Sequence, residues 1–298
     1  MYLPYLRGKE NELRALKELL EDNLLSKKII PIIEPINFSS IFKEVLLEFI
    51  KKEREIIVIH NPQVGDFFKL DKKSIGEFEA ILKNKFIIIG HILNKKSNIQ
   101  LKEIQTKGLD VDNIALIENK NNSINKNSLK SFRSRFIVLL NDDYKCDNRV
   151  ILDDKFDKKN RNADYLEREE FFSDEHIKYL KRNDLGFSDY SVIGEKFSNS
   201  GWLAKVVAIH IVYFDNNILN IRHFLSDSND STENQSKKVR EANKKLCEWA
   251  DLNKFDSLAL QKFREYNNEN KSTSLGMLKR LSIMHHLEIM SKYLDKLI

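Results

Sequence analysis

The sequence predicts an α/β fold: a (β/α)8 TIM-barrel-like body with an antiparallel hairpin extension and C-terminal helices. Three observations carry this. Eight short β-branched runs recur between residues 29 and 214. Most are continuously apolar, as parallel strands buried on both faces require. Amphipathic stretches of helical spacing separate several of them, which is the βαβ rhythm of a parallel sheet. A barrel of this type needs about 250 residues, and the chain has 298.

The opening YLPYLRGKENELRAL leads into an amphipathic helix marked by Leu13, Leu16, Leu19 and Leu20. Gly8 permits a backbone angle closed to other residues. Arg7 and Lys9 flank it beside a helix N-terminus, where an anion is favoured. The strands then follow as IIPIIEPI (29–36), EIIVIH (55–60), FIIIGHI (86–92), NIALIE (113–118), RFIVLL (135–140), RVILDD (149–154), FSDYSVI (187–193) and KVVAIHIVYF (205–214). Ile41, Val45, Leu46, Phe49 and Ile50 mark one intervening helix, and Ile75, Phe78, Ile81 and Leu82 another. The connection NDDYKCDN is too short for a helix. No glycine-rich loop follows IIPIIEPI, so no nucleotide-cofactor motif is present and an open dinucleotide-binding sheet is disfavoured. The eighth run continues into a hairpin turned around Asp215-Asn216-Asn217. The division expected is a barrel body with its RGK segment over 1–225, a polar, mobile linker over 226–236, and a helical segment over 237–298. Helices are expected there near 236–251, 254–268 and 275–297.

Composition narrows the function classes. The 50 Lys+Arg stand against 45 Asp+Glu, a net charge of +5. That is too mild for a nucleic-acid coat or a polybasic membrane anchor. No run of 18 apolar residues occurs, so no membrane partner is expected. Cys146 and Cys247 cannot form a disulfide framework and read as structural, which points to a reduced, cytoplasmic setting. The charge is unevenly placed. Residues 236–298 hold 13 basic and 8 acidic residues, and the rest hold 37 of each. If a nucleic acid is bound, these helices, with Lys237, Lys238, Lys244 and Lys245, are expected to supply the attraction; the alternative is a solvated helical face.

Active sites of such barrels lie at the C-terminal ends of the strands. Ionisable residues fall there repeatedly: Glu34, His60, His91, Glu118, Asp142, Asp143, Asp153, Asp154, Asp189 and His210. Carboxylates and imidazoles can bind a divalent metal (Mg, Mn or Zn) or act directly as acid and base. Glu34, Glu118, Asp153 and Asp189 are the expected metal ligands, His60 and His210 the acid–base groups, and Arg7, Lys9 and Arg161 the phosphate clamp. No compact metal motif is present, so ligands would come from different strands. The segments RNADYLEREEFFSDEHIKY (161–179) and GFSDYSVIGEKFSNSG (186–201) fit no single amphipathic period and are expected to line a functional surface. Ser173 is expected to cap a helix there. On the hairpin, Arg222 and His223 fall on opposite faces. His285 and His286, adjacent on a helix, read as packing histidines, one of them half-buried.

Tyr2, Pro4, Leu6, Arg7, Gly8, Lys9 and Glu12, followed by Glu34 and Pro35 at a strand end, resemble the bacterial and phage "beta family" proteins. The blocks RNADY, FFSDEH, GFSDY, AIH and RHFLSD resemble a close sister group, over nearly the whole chain. That resemblance implies a barrel-like body and a setting among mobile elements and phage defence.

Together these features predict a metal-dependent phosphodiesterase or nuclease-like hydrolase acting on a nucleotide or nucleic acid in phage defence. The alternative is a non-catalytic partner or sensor subunit that binds a protein or ligand, with a neighbouring-gene product performing the chemistry.

Overall fold

The structure, a computed structural model, describes residues 1–121, 126, 129, 132–198 and 205–296. The chain divides into two compact units.

The first unit comprises Met1–Leu13, Lys27–Asp154 and Glu175–Tyr190. Its strands are β1 (Tyr5–Leu6), β2 (Ile32–Ile33), β3 (Ile56–Ile59), β4 (Ile87–Ile92), β5 (Ile114–Ile117), β6 (Phe136–Leu139), β7 (Arg149–Asp153) and β9 (Gly186–Asp189). They form one parallel sheet in the order β1-β2-β3-β4-β5-β6-β7-β9. Tyr2 bridges to Ile29 on one side and to Phe187 on the other, which nearly closes the sheet into a barrel. The helices between strands are α2 (Ser40–Lys51), α3 (Lys72–Leu82), α4 (Ser97–Thr106) and α5 (Glu175–Lys181). The helix α1 (Glu10–Glu21) begins in this unit and ends in the second. The β6–β7 connection carries no helix, as its length requires.

Seven of the eight expected runs supply barrel strands. The eighth, KVVAIHIVYF, does not. Its place is taken by the chain's opening residues, which sequence reading treated as a lead-in to α1. The Pro4 and Leu6 carbonyls accept from Ile32 and Glu34, while the Leu3 amide donates to Phe187 O at 2.9 Å. A segment of five residues can do this because both its neighbours offer unpaired strand edges. Pro4 lacks a donor, and its carbonyl still makes the ladder bond. All four leucines of α1 are buried. On α2 the apolar stripe Ile41, Val45, Leu46 and Phe49 is buried, with Phe42 added. On α3 only Phe78 and Leu82 are buried, and Ile75 is exposed. The phenylalanines Phe38, Phe42, Phe67 and Phe78 pack edge to face and account for that offset.

The second unit comprises Arg14–Ser26, Lys155–Asp174 and Ser191–Ile298. It contains β8 (Glu169–Ser173), β10 (Ala208–Asp215), β11 (Ile218–Leu225), α6 (Gln235–Leu252), α7 (Leu258–Asn268) and α8 (Leu275–Leu294). The strands form an antiparallel sheet in the order β10-β11-β8. The predicted hairpin is present, with Asn216 and Asn217 at φ 47° and 64°, the left-handed pair that a two-residue turn demands. The hairpin thus groups with the C-terminal helices, not with the barrel strands. The polar linker is partly tied down: the Asp227 and Ser228 amides donate to Glu241 of α6 at 2.9 and 3.0 Å. His285 and His286 are both fully buried, where one was expected to be half-exposed. His285 contacts Ser257 Oγ and the Val212 carbonyl, and His286 contacts Ser191 Oγ.

Barrel closure can be tested by adding one methyl group. A Cβ on Gly186 would lie 2.6 Å from the Met1 carbonyl oxygen, a backbone atom that cannot rotate away. Gly186→Ala should therefore cost about 1–3 kcal/mol. Gly76, inside α3, has no atom near its missing Cβ. Gly76→Ala should add up to about 1 kcal/mol through helix propensity. Urea unfolding checks both; equal midpoints for the two variants would contradict the packing at Gly186.

Candidate functional site

The polar rim of the barrel begins with two tyrosines, Tyr2 and Tyr5, to which the sequence assigned no site role. The Tyr2 hydroxyl donates to Asp189 Oδ1 at 2.6 Å. The Tyr5 hydroxyl donates to Glu34 Oε2 at 2.8 Å. Both acids are buried, at 2% and 1% exposure, so each needs such a partner. Glu34 also forms an ion pair with Arg7 and accepts from the Gln63 amide at 2.7 Å. The Arg7 guanidinium lies over the Tyr5 and Tyr190 rings, 5.0 and 5.2 Å from their centroids. Gly8, at φ 63°, packs against the Glu34 carbonyl, so its backbone freedom is needed where Arg7 turns onto Glu34. Burial, followed by the neighbouring carboxylates, holds both tyrosine hydroxyls protonated well above the usual phenol range.

Two strands further round, a histidine pair continues the rim. His60 follows β3 and His91 lies near the end of β4. Their rings stack with centroids 5.0 Å apart, and His60 Nε2 meets His91 Nδ1 at 2.7 Å. His91 Nε2 meets Ser97 Oγ at 2.8 Å, and that oxygen accepts from the Asn94 amide. Asn61 clamps the two strand ends together, donating to the Ile92 carbonyl and accepting from its amide. Burial pushes His60 down to about 3, assisted by His91 and Lys107, and pushes His91 down to about 4. At neutral pH the chain His60–His91–Ser97 is a run of neutral donors and acceptors.

The remaining acids are placed differently. Glu118 follows β5 and is engaged by Lys126 at 3.3 Å and by the Leu140 amide at 2.9 Å. Asp153 is exposed at the end of β7, paired in register with Asp189. Asp143 also pairs with Lys126.

Among the described residues, no group of three or more His, Cys, Asp and Glu side chains could hold a metal ion. The expected ligands Glu34, Glu118 and Asp189 are each engaged by a side chain of their own chain.

Two expected members of the site belong to the second unit. His210, read as the end of the last barrel strand, sits on β10 of the antiparallel sheet. Its Nδ1 meets His223 Nδ1 at 2.7 Å, directly across the hairpin register. Arg161, read as a phosphate clamp, is exposed in the second unit and bound to Asp164 at 2.8 Å, where it shapes a short turn. The other expected clamp residues, Arg7 and Lys9, belong to the first unit. Asn199, Ser200 and Gly201, the end of one expected functional block, lie outside the described residues. Tyr165 and Tyr190 of those blocks are buried aromatics, at 2% and 6% exposure.

The expected nucleic-acid lysines are also partly committed. Lys238 is buried and bonds to the Lys205 and Ser231 carbonyls. Lys245 bonds to the Leu225 carbonyl and Asp227. Lys237 and Lys244 face solvent beside Glu241 and Glu248. Much of the C-terminal positive charge is thus structural. Burial pushes the Cys247 thiol up to about 11, in keeping with an inert structural cysteine.

No protein family, curated protein or solved structure matches the chain. No helix among the described residues is long and apolar enough to cross a membrane.

The buried histidines set the acid stability of the fold. His60 is held near 3, and His91, His223 and His285 near 4, each chiefly by burial. The unfolded chain takes up these protons near pH 6.5, before the folded chain does, so acid favours unfolding. The histidine contribution to stability should be constant above about pH 7 and fall continuously from 6.5 toward 4. Urea midpoints across that range check it, and a midpoint unchanged between pH 7 and 4.5 would contradict the burial of these rings.

Proposed function

We propose that the barrel rim is a hydrolytic site for a phosphate ester of a nucleotide or nucleic acid, working by histidine acid–base chemistry. The observation that supports it best is the hydrogen-bonded chain His60–His91–Ser97. It lies at the C-terminal ends of adjacent barrel strands, where barrels of this type carry their chemistry. With Nε2 engaged by His91, Nδ1 of His60 is the nitrogen that a substrate would meet.

In this reading a water attacks phosphorus and the ester P–O bond breaks. His60 Nδ1 takes the proton of the attacking water and returns it to the leaving alkoxide. His91 and Ser97 hold the His60 ring and its tautomer through the Nε2 contact. Arg7 and Lys9 are the groups for the phosphate charge, with Arg7 fixed by Glu34 and the two tyrosine rings. The setting in phage defence comes from the family resemblance alone.

A second reading has its own support. Glu34, Glu118 and Asp189 have their charge met within the chain, as carboxylates that hold a scaffold do. That favours a binding or sensor subunit serving a partner protein.

A phosphodiester assay with bis(p-nitrophenyl) phosphate, nucleotides and oligonucleotides separates the two. It is run with EDTA and with Mg, Mn or Zn. His60→Ala should lower kcat/KM by about 10²–10⁴. The acid limb of the wild-type kcat/KM profile should fall well below pH 6, since the free His60 stays neutral to about 3. No turnover of any substrate under any of these conditions would leave the binding reading in place.

A further inference from the structure

The second unit contains a cavity of about 270 Å³, and every described lining residue belongs to that unit. His210 lines it and is half-buried. His223, its register partner on β11, is 2% exposed. Their Nδ1 atoms meet at 2.7 Å, so one nitrogen carries a proton and the other accepts it. The direction of this bond decides what His210 offers the cavity.

Glu170 sets the direction. Its Oε2 lies 3.8 Å from His223 Nε2, a buried nitrogen with no hydrogen-bond partner. That separation is too long for a hydrogen bond. A lone pair facing a carboxylate is nevertheless repelled, and an N–H is attracted. Neutral His223 therefore carries its proton on Nε2, which leaves its Nδ1 as the acceptor. His210 must then donate from Nδ1, and its Nε2 keeps a lone pair. Burial, followed by His223, Lys279 and Lys158, holds His210 well below its usual range, so that lone pair persists at neutral pH. His210 Nε2 has no hydrogen-bond partner among the described residues.

The rest of the lining is largely aromatic and apolar. Phe156 and Tyr165 lie nearly parallel at 6.1 Å, and His210 packs against both at 5.0 and 4.7 Å. Val192, Ile193 and Leu278 are buried beside them. The lining lysines are committed. Lys159 pairs with Asp157 and lies 4.0 Å from Glu170. Lys158 reaches the Lys196 carbonyl at 3.5 Å, and Lys279 also has a partner. An apolar cavity of about 150 Å³ holds a benzene molecule, so this one has room for one or two rings. We infer that it is a binding site for a small uncharged aromatic molecule whose O–H or N–H donates to His210 Nε2. Glu170 and His223 act as positioning residues, because they fix the tautomer that makes His210 an acceptor. No first-unit residue is among the described lining, and the barrel chemistry is not called on.

Nitrogen-15 NMR of the histidine rings in the full chain at neutral pH tests the direction of the bond. His210 should be protonated at Nδ1 only, and His223 at Nε2 only. The reverse pattern would overturn the inference. Binding is read by titrating p-cresol against 4-methylanisole, and indole against 1-methylindole. Each pair differs by a methyl cap on the donor. At least one of p-cresol and indole should bind saturably and move the His210 Nε2 resonance. Its capped partner should be about tenfold weaker or more. His210→Phe, which keeps an aromatic ring, should bring the donor down to the affinity of its capped partner. Failure of both donors to bind, equal binding of a donor and its capped partner, or full affinity in a folded His210→Phe chain would each overturn the assignment. If His210→Phe does not fold, the ring assignments and paired titrations of the unaltered chain decide it.

Discussion

The barrel depends on where five residues go. Tyr2 through Leu6 run between the segment 28–34 and β9, taking hydrogen bonds from both. Without them β2 and β9 would each present an open edge of unpaired amides and carbonyls. The same segment stacks Tyr2 on Phe187, with centroids 4.9 Å apart, and so fixes its two hydroxyls by backbone register. Those hydroxyls meet Asp189 and Glu34, acids too buried to stand without a partner. Closure of the sheet and satisfaction of its rim are therefore one event. Arg7, two residues after Tyr5, completes it by pairing with Glu34 across a turn that Gly8 makes possible.

Most of the barrel was legible because parallel strands buried on both faces leave continuous apolar runs, as IIVI and FIVL do here. The exception is instructive. YLPYL is short, contains a proline and carries two hydroxyls, so it lacks the composition of a central strand. KVVAIHIVYF has that composition but pairs antiparallel with β11. Its burial changes from residue to residue at Ala208-Ile209-His210-Ile211, which is the half-exposed period of an antiparallel strand. The acids at strand ends were legible as positions, but their partners were not. Tyr2 finds Asp189 across 187 residues, and Tyr5 finds Glu34 across 29. No local pattern encodes such pairs.

The two units solve the same problem alike. Each buries a pair of histidines with a ring nitrogen contact of 2.7 Å, His60 with His91 and His210 with His223. Burial removes the charged state, and the neutral rings then serve as donor and acceptor for one another. One pair extends to Ser97 on the barrel rim, and the other joins β10 to β11 in the second unit. Surface charge follows the same economy. Lys238 and Lys245 tie strand and loop carbonyls to α6, so part of the basic charge of the C-terminal helices is architecture.

Amide hydrogen exchange of residues 2–6 tests the central claim most directly. If this segment is the closing strand, the amides of Tyr2, Leu3, Ile30 and Glu34 should be protected to the same extent as those of β4 and β5. Exchange of Tyr2 and Leu3 at the rate of a frayed chain end, with β4 and β5 still protected, would contradict it.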